Sequence, residues 1–168
     1  MMKAHYSILY SSKTGNTKML ADAISEVLPK ELCDVFGKCG EKEPASELLY
    51  VGFWTDKGNA DETSQKLLRA LRKKKIFLFG TAGFGGSDSY FRTILERVTK
   101  SVDKSNTVVG SFMCQGKMPS SVRERYVKMK GMGNPLTDLD AMIENYDRAL
   151  SHPDAQDLDK LKKAVLAC

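Results

Sequence analysis

The side chains best suited to chemistry fall in three short polar segments, each lying between an apolar run and a helical pattern. The first reads Ser11-Ser12-Lys13-Thr14-Gly15-Asn16-Thr17. Hydroxyls, an amide and a glycine at a helix start form a cradle for an anion. The first N–H groups of a helix have no internal partner, and its dipole is positive there. Ser12, Thr14, Asn16 and Thr17 add side-chain donors that could surround phosphate oxygens. The competing reading is a polar turn with a helix cap, which needs one such residue rather than several. The second segment, Phe53-Trp54-Thr55-Asp56-Lys57-Gly58-Asn59-Ala60-Asp61, holds the only tryptophan. Trp54 can cover a flat ligand or be a partly buried structural residue. Asp61 or Asn59 can cap the helix that follows. The third runs Thr81-Ala82-Gly83-Phe84-Gly85-Gly86-Ser87-Asp88-Ser89-Tyr90-Phe91, and its three glycines let the backbone approach a flat ligand closely. Phe91 fits the apolar face of the next helix, whereas Tyr90 is open between ligand and core. Farther on, Gln115, Gly116 and Lys117 could line the same site or receive a partner.

Other chemistries need patterns this sequence lacks. There is no GxxxxGK[ST] phosphate loop. No GxGxxG follows a strand, because Gly83-Phe84-Gly85-Gly86-Ser87-Asp88 fails at its last position. Tyr10-Ser11-Ser12 offers no acidic residue for a phospho-acceptor site. Cys33, Cys39, Cys114 and Cys168 show neither metal-ligand nor CxxC spacing, and two distant histidines do not make a zinc enzyme. Free thiols in a reducing cytoplasm are the expectation.

The elements that must position these segments follow from hydrophobic periodicity. His5–Tyr10 reads as a strand, and Thr17–Leu28 as a helix with Leu20, Ala23, Ile24, Val27 and Leu28 on one face. Leu32–Phe36 is a short strand and Leu48–Phe53 a longer one. Ala60–Arg72 is a helix, Lys75–Gly80 an almost wholly apolar strand, and Ser89–Val102 a helix. Thr107–Cys114 is the fifth strand. Pro119 opens a short helix, and 136–150 and 157–166 are the last two. This alternation predicts an α/β chain with a parallel sheet, helices on both faces and right-handed crossovers. Five strands allow the order 2-1-3-4-5 or a half-Rossmann arrangement, and in both the ligand binds outside the carboxyl ends of the strands. The three polar segments all lie there.

At 168 residues and 42% hydrophobic, the chain suits one globular domain and is not disordered. No apolar run reaches the roughly 18–20 residues of a membrane helix, and the first residues carry too short an apolar stretch for a signal peptide. The net charge of +5 is uneven: residues 66–130 hold 15 basic and 4 acidic groups, while the segments on either side are net acidic. Such a stretch suits an acidic protein, an anionic ligand or a nucleic acid, or is a solvated face. It lacks interleaved aromatics and any recognised nucleic-acid module, which argues against nucleic acid.

Ser12-Lys13-Thr14-Gly15-Asn16-Thr17 resembles the (Thr/Ser)-x-Thr-Gly-x-Thr phosphate loop of flavodoxins, and it stands where that family has it, directly after the first strand. Chain length and element order also match over most of residues 3–150. The resemblance implies a flavodoxin-like three-layer sandwich with a five-stranded parallel sheet of order 2-1-3-4-5. It implies one domain over 1–168, with a core of about 3–150 and a helical extension over 151–168. It implies bound FMN. By position, Ser12, Lys13, Thr14, Gly15, Asn16 and Thr17 would surround the phosphate, and Trp54, Thr55, Asp56 and Gly58 would meet the ring from the second loop. Thr81, Ala82, Gly83, Phe84, Gly85 and Tyr90 would meet it from the third, although the family's usual tyrosine stands nearer the position of Asp88. The helices between Pro119 and Cys168 are similar to those of a subgroup of flavodoxin-like proteins associated with a bacterial bilirubin reductase.

Three functions follow from this resemblance. The first is an FMN electron carrier in the cytoplasm, shuttling electrons between redox partner proteins, with no membrane partner. The second is an FMN-dependent NAD(P)H oxidoreductase. The third is an ancillary partner of a larger reductase such as bilirubin reductase. Members of this family are usually acidic, so the basic surface over 66–130 implies a different or reversed docking partner.

Overall fold

An almost wholly apolar run has to be covered on both faces. Lys75–Ala82 (β5) meets that demand, since every residue after Lys75 is buried. The computed structural model describes residues 5–84, 87–133 and 138–168. In it β5 lies between β3 (Leu48–Asp56) and β6 (Thr107–Gln115), with β1 (Tyr6–Tyr10) and then β2 (Cys33–Lys38) beyond β3. All four pairings in the order β2-β1-β3-β5-β6 are parallel. Counted along the chain, these five strands have the order 2-1-3-4-5, so the flavodoxin-like arrangement holds.

The sheet also has a sixth strand, β4 (Asn59–Ala60), that periodicity did not suggest. It returns antiparallel on the tail of β3, pairing Thr55 with Ala60 and Asp56 with Asn59. A two-residue hairpin of this kind needs positive φ at both turn residues. Lys57 and Gly58 supply it, at 53° and 78°. Arg97 donates to the Gly58 carbonyl oxygen at 3.1 Å and holds the tip down.

Side chains alternate along the strands and divide the core in two. On one face, Phe77 and Phe79 of β5 join Ile8, Tyr10 and Tyr50 under α1 (Asn16–Val27) and α6 (Ala155–Leu166). On the other, Ile76 and Leu78 join Val51 and Phe53 under α2 (Glu62–Ala70) and α3 (Asp88–Thr99). Leu161 and Val165 of α6 are buried in the first cluster beside Leu20 and Ile24 of α1, so the helical extension expected over 151–168 packs into the core. The pair α4 (Ser120–Gly131) and α5 (Leu139–Ala149) stands outside both clusters, with its own buried residues in Tyr126, Leu139, Tyr146 and Ala149.

Helix ends follow local chemistry. Asp154 caps α6 in a reciprocal box with Asp157, whose carboxylate also meets His152 Nδ1 at 2.6 Å. The Asp154 carboxyl is held below its usual range, chiefly by the Asp157 backbone N–H. The short strand expected over 32–36 begins at Cys33 and extends to Lys38, after a 3-10 turn over Lys30–Leu32.

Candidate functional site

The carboxyl ends of β1, β3, β5 and β6 meet around a cavity of about 150 Å³. Its first wall is the loop that leaves β1 and enters α1. Gly15 is the N-cap residue, at φ 89°, and the first helical bond runs from Met19 N–H to its carbonyl oxygen. No side chain caps this helix in the ordinary way. Instead the Ser12 hydroxyl accepts from the N–H groups of Gly15, at 3.1 Å, and Lys18, at 3.4 Å. Among the described residues, the N–H groups of Asn16 and Thr17 find no acceptor. They are open donors at the positive end of α1.

The side chains of this loop have definite partners. The Thr14 hydroxyl donates to the Lys117 carbonyl oxygen at 3.3 Å, and Asn16 Nδ2 donates to the same oxygen at 2.8 Å. The Thr17 hydroxyl, fully buried, donates to the Phe53 carbonyl oxygen at 3.1 Å and so ties α1 to β3. Asn16 Oδ1 is buried with no partner. The loop thus presents backbone donors and one amide oxygen, while Thr17 ties it to β3, Thr14 and the Asn16 amino group tie it to Lys117, and Ser12 braces it from within.

The second wall is the tail of β3. The Trp54 N–H donates to the Asp61 carboxylate at 3.2 Å, and the Asp61 N–H donates back to the Trp54 carbonyl oxygen at 3.0 Å. The same carboxylate caps α2 through the Ser64 N–H at 3.1 Å and accepts from the Ser64 hydroxyl at 2.8 Å. Asp61, rather than Asn59, is therefore the cap, and it also positions Trp54. The Lys13 ammonium stands 5.1 Å from the centroid of the Trp54 ring, a cation–π contact. Thr55 Oγ1 is buried without a partner.

The third wall is the end of β5. Thr81 and Ala82 are buried, and Met118 packs directly on the α-carbon of Gly83. Phe84 is 41% exposed. Gly85, expected to contact a ligand, lies outside the described residues. Ser87 caps α3 by accepting the Tyr90 N–H at 3.2 Å. Tyr90 packs on the edge of the second core cluster and faces α5 across a separate cavity, with Phe84, Met142 and Asn145.

Of the residues expected from sequence, the cavity therefore gathers Lys13, Thr14 and Asn16 from the first loop, Trp54 and Thr55 from the second, and Thr81 and Gly83 from the third. Ser12, Gly15 and Thr17 shape the loop behind it. Asp56 and Gly58 sit at the hairpin. The fourth wall is Gly116 to Pro119; of the residues expected there to line the site or receive a partner, Gly116 and Lys117 line it, and their backbone forms a hub. The Gly116 N–H donates to the Ala82 carbonyl oxygen at 3.0 Å, and the Lys117 N–H to the His152 carbonyl oxygen at 2.9 Å. Asn145 of α5 also reaches the third loop, and no sequence signal pointed to it.

A larger groove of about 690 Å³ runs along the free edge of β6 between α3 and α6, lined by both carboxylates and cations. It arises because the outer side of an edge strand is unpaired, and it is not where the loop donors converge. The thiols offer no reactive centre at the cavity. Burial pushes Cys39 up to about 12 and raises Cys114 further, so both stay protonated at neutral pH.

Comparison with known proteins agrees with this geometry. The family described as Flavodoxin domain matches residues 7–166. A flavodoxin-like domain-containing protein BilS from Clostridium symbiosum (strain WAL-14163) is 41% identical over 170 residues, covering 91% of this chain and 90% of that protein. Its namesake from Clostridioides difficile (strain CD3) is 34% identical over 155 residues, covering 90% and 88%. Among solved structures, oxidised Flavodoxin 2 from Bacillus cereus superposes with a TM-score of 0.59 at 16% identity, over 98% of this chain and 97% of that one. That last likeness speaks to the fold. With the family match spanning both walls and core, and two relatives above 30% identity along nine-tenths of its length, the chain belongs to the flavodoxin domain family.

Proposed function

We propose that this chain binds FMN in the cleft at the carboxyl ends of β1, β3 and β5 and carries electrons between redox partner proteins. Membership of the flavodoxin domain family implies FMN, and the residues of the cleft fit its phosphate end. The observation that carries the reading is a pair of unsatisfied polar atoms at one cavity. Asn16 Oδ1 and Thr55 Oγ1 are buried without partners, and both residues line it. A buried polar atom left unpaired costs about 1–3 kcal/mol, so a site with two of them suits a ligand rich in hydroxyls and oxygens.

The N–H groups of Asn16 and Thr17 would hold the phosphate at the start of α1. Lys13 and Lys117 line the same cavity and have no carboxylate partner among the described residues, so their charge is available to it. Asn16 Oδ1 would accept from the sugar-alcohol chain. Trp54, held by Asp61, offers the ring an aromatic face. A volume of about 150 Å³ takes the phosphate and the near end of its chain, and the ring would lie outside it, toward Trp54 and Phe84. When bound, FMN supplies one- or two-electron transfer, and the chain tunes it through burial, stacking and hydrogen bonds.

The four cysteines are free thiols, which fits a cytoplasmic setting. Among the described residues no helix is long and apolar enough to cross a membrane. The partner would dock where the ring reaches the surface, beside the basic start of α4. A larger reductase, the bilirubin reductase of the resemblance, is one such partner.

The test is a titration of purified protein with FMN and with riboflavin. FMN should bind at micromolar concentration or better, and at least ~tenfold more tightly than riboflavin, because charge-assisted hydrogen bonds to the phosphate are worth about 1.5–3 kcal/mol each. Absence of FMN binding sinks the proposal, and equal affinities sink the assignment of the first loop. Rapid NADPH oxidation by the isolated protein would favour an enzyme over a carrier.

A further inference from the structure

The carbonyl oxygen of Gly83 has two side-chain donors, both from outside its own loop. Gln115 Nε2, at the end of β6, donates to it at 3.0 Å, and Asn145 Nδ2, on α5, at 3.1 Å. The two amides also bond each other, Gln115 Nε2 to Asn145 Oδ1 at 3.1 Å. All three groups are partly buried, so solvent competes with these bonds less than it would at an open surface. A lone glycine carbonyl at the end of a strand needs one donor. Two, locked to each other, fix the direction of its peptide plane.

That direction has a consequence at the next residue. In a trans peptide the C=O of one residue and the N–H of the next point opposite ways. β5 lies between β6 and β3. Gln115 comes from the β6 side and Asn145 from α5, which bonds it there. The Phe84 N–H is therefore turned away from both amides, on a peptide whose Gly83 lines the cavity with Trp54 and Thr55. Among the described residues it has no acceptor.

We infer that Gln115 and Asn145 are positioning residues that clamp the Gly83–Phe84 peptide so that its N–H meets the FMN ring. The inference rests on the reading that FMN binds here, and it gives the α4–α5 pair a role in tuning the cofactor. A donor aimed at the ring favours the reduced form, on which negative charge accumulates, more than the oxidised form. Released from its clamp, the peptide can rotate and the donor is lost.

The test compares wild type with Asn145→Leu and Gln115→Met, which keep bulk and remove the donors, and with Gln115→Glu, which keeps shape but turns an acceptor toward the carbonyl. In wild type without flavin, the Phe84 amide should show one sharp NMR signal, and it should broaden or shift in all three variants. FMN affinity should fall about three- to tenfold in the variants, the scale of one oriented hydrogen bond. The two-electron midpoint potential should fall by about 30 mV for each further tenfold loss in affinity for reduced over oxidised FMN. A merely structural role would lower thermal stability and leave the potential of bound FMN unchanged, and that outcome overturns the inference. Should Asn145→Leu fail to fold, Gln115→Met carries the same test from the other side. Failure of wild type to bind FMN would strike the proposed function, whereas wild-type binding with unchanged variant potentials would strike the clamp alone.

Discussion

Asp61 is the residue on which most of the second loop depends. It is 3% exposed, and its carboxylate joins the Trp54 backbone, the Ser64 backbone and the Ser64 hydroxyl. Removing it uncaps α2 and leaves buried donors unpaired. Asp61→Ala should cost about 2–3 kcal/mol in urea unfolding, combining a lost cap with lost buried hydrogen bonds. Because Trp54 is the only tryptophan, its fluorescence reports the same change without a label. Asp61→Asn keeps one of the two accepting oxygens but sets an NH2 against the donor at the other, so it should recover only part of the stability. Unchanged emission and a cost within about 0.5 kcal/mol of zero, the range of ordinary surface changes, would show that Asp61 does not hold the tryptophan.

α6 completes the cover of the sheet on the α1 side. Its apolar stripe buries Leu161 and Val165 against α1 and the strands beneath. Its start is set by the Asp154–Asp157 box, and the Lys117 N–H bonds to His152 just before it. The helix thus packs the core and steadies the fourth wall of the cleft together. Leu161→Ala should destabilise the fold by about 2–5 kcal/mol, as a buried leucine deletion does. Leu150→Ala, at a position 51% exposed, should change stability by less than about 0.5 kcal/mol. Thermal melts of both variants test this, and comparable losses at the two sites would mean that α6 is not part of the cooperative core.

The charge of the whole molecule divides between its two ends. Arg72 to Lys75 stand at the amino end of β5, eight residues of strand from the cleft, or about 26 Å at 3.3 Å per residue. Several are engaged there: Arg72 with Asp103, Lys75 with Glu47, and Lys74 with the Ser46 carbonyl oxygen. Near the cleft, Lys117 lines the cavity itself, and further basic residues lie on α4, which starts directly after Pro119 of the cavity wall. There Arg123 pairs with Asp147 and Lys130 with Asp140, while Arg125 and Lys128 are exposed with no ion pair among the described residues. The stretch 66–130 is therefore two surfaces, and only one can steer a partner to the flavin. Ferricyanide, a small anionic oxidant, is a probe of that field. Reoxidation of reduced, FMN-loaded protein should slow several-fold from low to 0.5 M salt as exposed charges are screened. Arg125→Glu with Lys128→Glu should reproduce the slowing at low salt, and Lys73→Glu with Lys104→Glu, just ahead of the amino ends of β5 and β6, should not. Equal effects of the two pairs would return the docking question to the whole basic stretch.

Much of this was legible in the chain itself, and for local reasons. Strand and helix order follows from apolar spacing: Ile76 to Phe79 fill both faces of a covered strand, and Leu20, Ala23 and Ile24 share one face of a helix. The first loop could be read because serine, threonine, asparagine and glycine act on backbone groups within a few residues, as Ser12 does on Gly15. What those side chains finally bond could not be read. Thr14 and Asn16 donate to Lys117, 103 and 101 residues away. The clamp on Gly83 comes from residues 32 and 62 positions later, and the basic stretch separates only because β5 carries its two ends apart. Sequence determined the alternation of elements and the place of the first polar loop, since both rest on interactions between near neighbours along the chain. Tertiary structure alone decided which donors remain free for a ligand, because packing chooses the distant partners that satisfy the others.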